Sequence, residues 1–234
     1  MRGLHYGMLA ACAALIAVPL VVSELSAAPA PPAAAPAGPP PPEPVMPPSL
    51  PPSYVVDLMT AQGSSAFNAQ WRTMEAKIVD AKPIDGHMPE YKTAYDISPH
   101  AGGADFNDSA WPKIESKDLA ARRSGGHVAF IWYRSNLTIP AKVGDFDTTG
   151  AIAVLRVLVD DYAEVWVNGQ MPRKSGYPSP ATIQGLNMPN RVVLSQSVKP
   201  GDKFQIAVFG INGPISVAPA NTVWFREARI EFYK

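Results

Sequence analysis

Asp160 and Asp161 stand side by side with Glu164 three residues on. Carboxylates so close are what general acid–base chemistry, or a hard cation such as calcium, would use. Strand geometry works against the pair. Tyr162-Ala163-Glu164-Val165-Trp166-Val167 alternates as a strand does. Neighbouring strand residues project from opposite faces, so a single substrate meets both carboxylates only if the chain bends between them. The reading is a turn-capping aspartate beside a solvated one. The alternative is a calcium ligand set of Asp160, Asp161 and Glu164, and no other cofactor is implied.

A second group of residues has the chemistry of sugar recognition. A flat aromatic stacks on the C–H face of a sugar ring while amides and guanidinium groups bond its hydroxyls. Tyr177, with Arg173, Lys174, Asn187, Asn190 and Arg191, supplies this set in and beside the stretch from Gln170 to Asn190. Loops between strands are where such sites are carried, although the same residue types also make ordinary loop surface.

Other chemistry is excluded by what is missing. The chain has no Gly-x-Ser-x-Gly elbow, no His-Glu-x-x-His, no phosphate loop and no dinucleotide fingerprint. His87, His100 and His127 are scattered, so no zinc site is expected. Cys12 is the only cysteine and lies in the apolar leader, which rules out an intrachain disulfide and a thiol nucleophile in the folded domain. Lysine plus arginine number 20 and aspartate plus glutamate 20, so no overall field draws nucleic acid.

The elements that would position these residues read as strands. Asn168-Gly169 is the pair most willing to take positive φ at both centres of a two-residue hairpin. Strands are expected at Tyr54–Met59, His127–Arg134, Leu137–Pro140, Ala151–Val159, Arg191–Leu194, Phe204–Gly210 and Val223–Tyr233. In the last, Ala228, Ile230 and Phe232 face one way and Arg229, Glu231 and Tyr233 the other. Ala66–Lys77 has helix-forming residues, but Trp71, Thr73, Ile78 and Val79 in a strand-rich chain favour a strand. Phe106-Asn107-Asp108-Ser109-Ala110-Trp111 reads as a polar corner, with Asn107 and Asp108 capping backbone donors and Trp111 tucked beneath. Asn107-Asp108-Ser109 and Asn136-Leu137-Thr138 match the glycosylation triplet, which matters only in a eukaryotic secretory setting. Most of the five tryptophans, Trp132, Trp166 and Trp224 among them, are expected in the core. Frequent turns and little helix predict an all-β, antiparallel sandwich over residues 54–234.

Ahead of it, residues 1–30 have the parts of an export signal: Arg2, an apolar run from Met8 to Val22 broken by Pro19, then small residues at Ser26, Ala27 and Ala28. Left uncleaved, the same segment is an N-terminal anchor and the chain's one link to a membrane. Leu9-Ala10-Ala11-Cys12 spells a lipoprotein box, but most of the apolar run follows it rather than precedes it. Residues 31–53 form a disordered Pro/Ala-rich linker. From Pro29 to Pro52 there are 13 prolines, which favour extended polyproline II and cannot build a core. The expected location is periplasmic or extracellular.

Together, Phe106 to Trp111, Trp132-Tyr133-Arg134 with Ile139-Pro140, and Asp160 to Gly169 resemble a galactose-binding-like jelly roll, as in the sugar-binding accessory domains of β-galactosidases and β-glucuronidases. Across residues 54–234, with Arg191-Val192-Val193-Leu194, Ala207 to Pro214 and the Phe232-Tyr233 ending, the chain also resembles the N-terminal domain of bacterial gluconolactonases of the senescence-marker-protein family. There, hydrolysis belongs to a six-bladed, metal-bearing propeller, and the sequence stops at Lys234 where that propeller would begin. The resemblance therefore assigns no catalytic or metal-ligand role to any residue here. Three functions are expected from this reading. The first is an exported non-catalytic module binding carbohydrate or another cell-envelope component. The second is a gluconolactonase-type lactone hydrolase or its detached accessory domain, and the third an assembly module docking a partner protein.

Overall fold

The computed structural model describes residues 45–81, 94–122, 129–171, 183–184, 188–211 and 223–234. Among the described residues thirteen strands carry the fold: β1 (Tyr54–Asp57), β2 (Trp71–Ala81), β3 (Ala94–Ser98), β4 (Lys113–Ile114), β5 (Phe130–Thr138), β6 (Lys142–Val143), β7 (Phe146–Asp147), β8 (Ile152–Asp160), β9 (Tyr162–Val167), β10 (Ile183–Gln184), β11 (Asn190–Ser195), β12 (Lys203–Ile211) and β13 (Trp224–Tyr233). Every pairing between them is antiparallel. One main sheet runs β1-β13-β8-β11 and the other β10-β9-β12-β5-β2-β3, with β4 added beside β2, and β6 pairs with β7 in a separate two-stranded ribbon. The chain is an antiparallel β-sandwich.

Alternation decides which residues lie between the sheets. Leu155, Val157, Ala228, Ile230 and Phe232 from one sheet meet Ile131, Tyr133, Leu137, Ala163, Val165, Ile206 and Val208 from the other in a single core. Trp71 and Tyr133 both meet Phe225 edge-on, with centroids 5.5 and 4.8 Å apart. Each fully buried large apolar side chain contributes about 1.5–3 kcal/mol. No disulfide is needed at this size.

Of the Ala66–Lys77 region, Trp71 onward is strand, while Ala66 closes a short helix. A six-residue helix, α1 (Ala61–Ala66), precedes β2, capped by the Thr60 side chain accepting from the Gly63 N–H at 3.0 Å. Trp71 and Thr73 then turn inward on β2, where burial outweighs the helix propensity of Met74, Glu75 and Ala76. Asn168 and Gly169 take φ of 51° and 77°, and Val167 and Gln170 exchange backbone bonds of 2.8 and 3.0 Å across them, closing the expected two-residue hairpin. The end of the proline-rich stretch is also tied down. Ser53 N–H donates to the Phe232 carbonyl at 2.8 Å, and its hydroxyl donates to the Lys234 carbonyl at 3.2 Å.

Candidate functional site

Three of the expected ligand residues, Tyr177, Arg173 and Asn187, lie outside the described residues, as do Lys174, His87 and His127. Asn190 and Arg191 are placed, on opposite faces of β11. Asn190 shares its face with core residue Val192 and is 1% exposed, with neither amide atom hydrogen-bonded. Arg191 points outward and reaches Glu231 Oε2 from Nε at 3.1 Å and from Nη2 at 2.9 Å. Nη2 also donates to the Pro48 carbonyl at 3.1 Å and to the Tyr233 hydroxyl. Arg156 joins the network, bonding Glu227 at 2.9 Å and lying 3.8 Å from Glu231. This face of the four-stranded sheet is an ion-pair lattice in which Arg191 is already engaged.

The carboxylate pair is divided between the two sheets. Asp160 ends β8 opposite Trp224, whereas the Asp161 N–H donates to the Ile211 carbonyl of β12 at 3.2 Å. Among the described residues no group of three or more His, Cys, Asp or Glu side chains is placed to hold a metal ion. The calcium set of Asp160, Asp161 and Glu164 is thus not assembled, because the chain changes sheet between its members. His100 instead pairs with Asp96 at 2.7 Å. The Ile97 N–H first, and His100 after it, hold the Asp96 carboxyl below its ordinary value.

The outer face of the seven-stranded sheet is built differently. Registers between β9, β12, β5 and β2 order its side chains into rows. Phe209 faces Trp132, which faces Met74. In the next row come Trp166, Ala207, Arg134 and Arg72. Beyond it Gln205 stands opposite Asn136, and its N–H donates to the Asn168 Oδ1 at 2.8 Å. The apolar rows form a second, smaller core that includes Ala101 and Trp111 from the covering segment.

That cover is locked by Arg134, which is 2% exposed. Its Nε donates to Asp108 at 2.9 Å, and its other nitrogens donate to the carbonyls of Ala101, Gly103 and Phe106. Arg72 reinforces the corner by donating to the carbonyls of Ser109 and Trp111 at 3.1 and 2.8 Å. Asn107 accepts from the Ser109 N–H at 3.0 Å, and Trp111 is buried, as expected of a structural corner. Asp108, expected to cap backbone donors, serves the two guanidinium groups instead. Trp71, Trp111 and Trp132 are buried, but Trp166 and Trp224 are only half-buried. Trp166 lies on the outer face over Gly102, and Trp224, at the start of β13, carries the Arg226 guanidinium 4.7 Å from its ring centroid.

Where the cover stops, two shallow depressions meet at Asn136. One, of about 460 Å³, is lined by Asn136, Thr138, Asn168, Lys203 and Gln205 among others. The other, of about 200 Å³, is lined by Asn68, Gln70, Arg72, Asp108, Lys113, Ser135 and Asn136. Five primary amides share this surface. Those of Asn68, Gln70, Asn136 and Asn168 belong to exposed residues, while both amide atoms of Gln205 are buried and without a hydrogen-bond partner. A primary amide offers a donor and an acceptor side by side, as a sugar hydroxyl does. Sequence reading missed these residues because the amides come from distant segments. Their one signal was alternation, which sets Gln205 opposite in face to Phe204 and Ile206.

No family model and no curated protein sequence matches the chain. Among solved structures it is similar to Bacteroides uniformis β-glucuronidase 2 covalently bound to cyclophellitol-6-carboxylate aziridine, at 16% identity and a TM-score of 0.39, covering 70% of this chain and 18% of that one. A glycosyl hydrolase family 2 member from Bacteroides cellulosilyticus gives 13% identity and 0.39 over 69% and 20%. The Faecalibacterium prausnitzii β-glucuronidase gives 17% identity and 0.34 over 80% and 32%. The chain spans about a fifth of the length of the first two.

Proposed function

We propose that the domain is a non-catalytic binding module for carbohydrate or another polyhydroxylated component of the cell envelope. It would be carried outside the cytoplasm by its leader and held off the surface by the proline-rich arm. The observation that carries this reading is the amide surface. Asn136 on β5 and Asn168 in the hairpin turn after β9, with Asn68 and Gln70 beside them, are exposed and offer several donors and acceptors across the two depressions. Trp166, two residues before Asn168, is half-buried on the same face, with its ring against Gly102. Asn136 is held on a strand and Asn168 in a hydrogen-bonded turn, which lowers the ordering cost of binding.

The test is calorimetric titration of the full chain with a panel of envelope polysaccharides, repeated with the Gln70→Ala/Asn136→Ala variant. Binding by the wild type and its loss in the variant are expected. Uniform failure across the panel would sink the reading, as would binding that the variant retains in full.

The lactone-hydrolase alternative rests on the sequence resemblance alone. Opening of aldonolactones by the purified chain faster than in buffer would revive it.

A further inference from the structure

The same surface carries a charge bias that a neutral sugar would not need. Its two depressions are lined by three cations, Arg72, Lys113 and Lys203, and one carboxylate, Asp108. Arg134, buried just beneath, adds a fourth cation. Asp108 is consumed by the two guanidinium groups, at 2.9 and 3.7 Å. The guanidinium groups in turn are largely spent on backbone carbonyls.

Lys113 and Lys203 are different. Both are exposed, one lines each depression, and neither ammonium group has a hydrogen bond or ion pair among the described residues. The nearest acids in sequence do not cancel them. Asp202, turned to the Lys199 N–H at 2.8 Å, and Glu115 both lie outside the two linings. The chain as a whole has no net charge, so this excess comes from placement rather than composition. A concave surface with one sign of charge concentrates ligands of the other sign.

Resting on the carbohydrate reading of this surface, we propose that its ligand is an anionic glycan. Hydroxyls would meet the exposed amides of Asn68, Gln70, Asn136 and Asn168, and acid groups would meet Lys113 and Lys203. An ammonium is a compact point charge that accepts carboxylate and sulfate alike, so the shared chemistry is a polyhydroxylated chain bearing negative charge.

The experiment compares matched probes on the full chain. Oligogalacturonate and its fully methyl-esterified form share a backbone and differ in charge, and dextran sulfate with dextran makes the second pair. At least one acidic probe should bind about five- to ten-fold tighter than its neutral partner, the size that two exposed charge pairs supply. The gap should shrink at high salt, where exposed charges are screened. It should close in Lys113→Gln/Lys203→Gln and persist in Lys142→Gln, a lysine beside β1. Which acidic probe binds identifies the anion. Equal binding within both pairs overturns this inference while leaving the carbohydrate reading standing. A gap that survives Lys113→Gln/Lys203→Gln overturns the assignment to these lysines. Failure of every probe, neutral and acidic, together with the envelope panel, removes the carbohydrate reading and this inference with it.

Discussion

Arg134 donates to the Asp108 carboxylate at 2.9 Å, and that bond fastens the polar corner to the middle of the seven-stranded sheet. The partners are not equivalent. Arg134 is 2% exposed and also serves three carbonyls, whereas Asp108 keeps 21% of its side chain in solvent. Replacing Arg134 by methionine fills the space but leaves a carboxylate and three carbonyls without their donor. The expected loss is about 3–5 kcal/mol. Asp108→Asn keeps an acceptor oxygen and should lose about 1–2 kcal/mol. Urea unfolding of the two variants ranks them, and an Arg134→Met protein as stable as wild type would contradict the clamp.

Gln205 opposes stability. Its amide atoms are buried without partners, and leaving such a group unsatisfied costs about 1–3 kcal/mol. Methionine is of similar length and asks for no hydrogen bonds. Gln205→Met is therefore expected to leave stability unchanged or raise it by up to about 2 kcal/mol. A fall of more than about 1 kcal/mol would show that the amide is satisfied in the folded protein.

Tyr233 gives the fold an alkaline limit. Burial, then the hydrogen bond and charge of Glu231, push its phenol up to about 12, with Arg191 working in the opposite direction. Between its ordinary value of 10.0 and about 12, the folded chain holds a proton that the unfolded chain has released. Stability from this residue is thus complete below pH 10.0 and declines as pH rises through that window. The difference in urea midpoint between wild type and Tyr233→Phe should be flat up to pH 10.0 and narrow above it. A difference that stays constant to the top of the window would refute the shift.

Much of this architecture was legible because strand alternation is a local property. Ala228, Ile230 and Phe232 face inward while Arg229, Glu231 and Tyr233 face outward, and Asn168-Gly169 forms the turn its residue types demand. The amide surface was not legible. Gln205 meets Asn136 only through the β12–β5 register and Asn168 only through the β12–β9 register, and register is set by long-range packing. Asn190 and Arg191 misled for the same reason. They are adjacent in sequence, so they looked like one site, yet strand geometry sends one into the core and the other into an ion-pair lattice. Trp166 was expected inside because large aromatics usually are, but its parity on β9 places it opposite to Val165 and Val167.

Gly102 links the cover to Trp166, and its lack of a side chain is what permits the contact. A Cβ at residue 102 would lie 2.7 Å from Trp166 Cδ2 and 2.9 Å from both Cε2 and Cε3. These atoms belong to the middle of the indole rather than to a flexible tip, so either the ring or the covering segment must move. Overpacking of this kind costs about 1–3 kcal/mol. Gly102→Ala should therefore lose stability in that range, shift tryptophan emission and weaken binding at the adjacent amides, because Trp166 precedes Asn168 by two residues. Trp166→Phe separates the contact from other effects of the substitution, since a smaller ring leaves room for the methyl group. In a double-mutant cycle the cost of Gly102→Ala should fall by more than half when Trp166 is phenylalanine. An unchanged cost would mean that the glycine is required for the path of the covering segment itself, not for its seat on the indole.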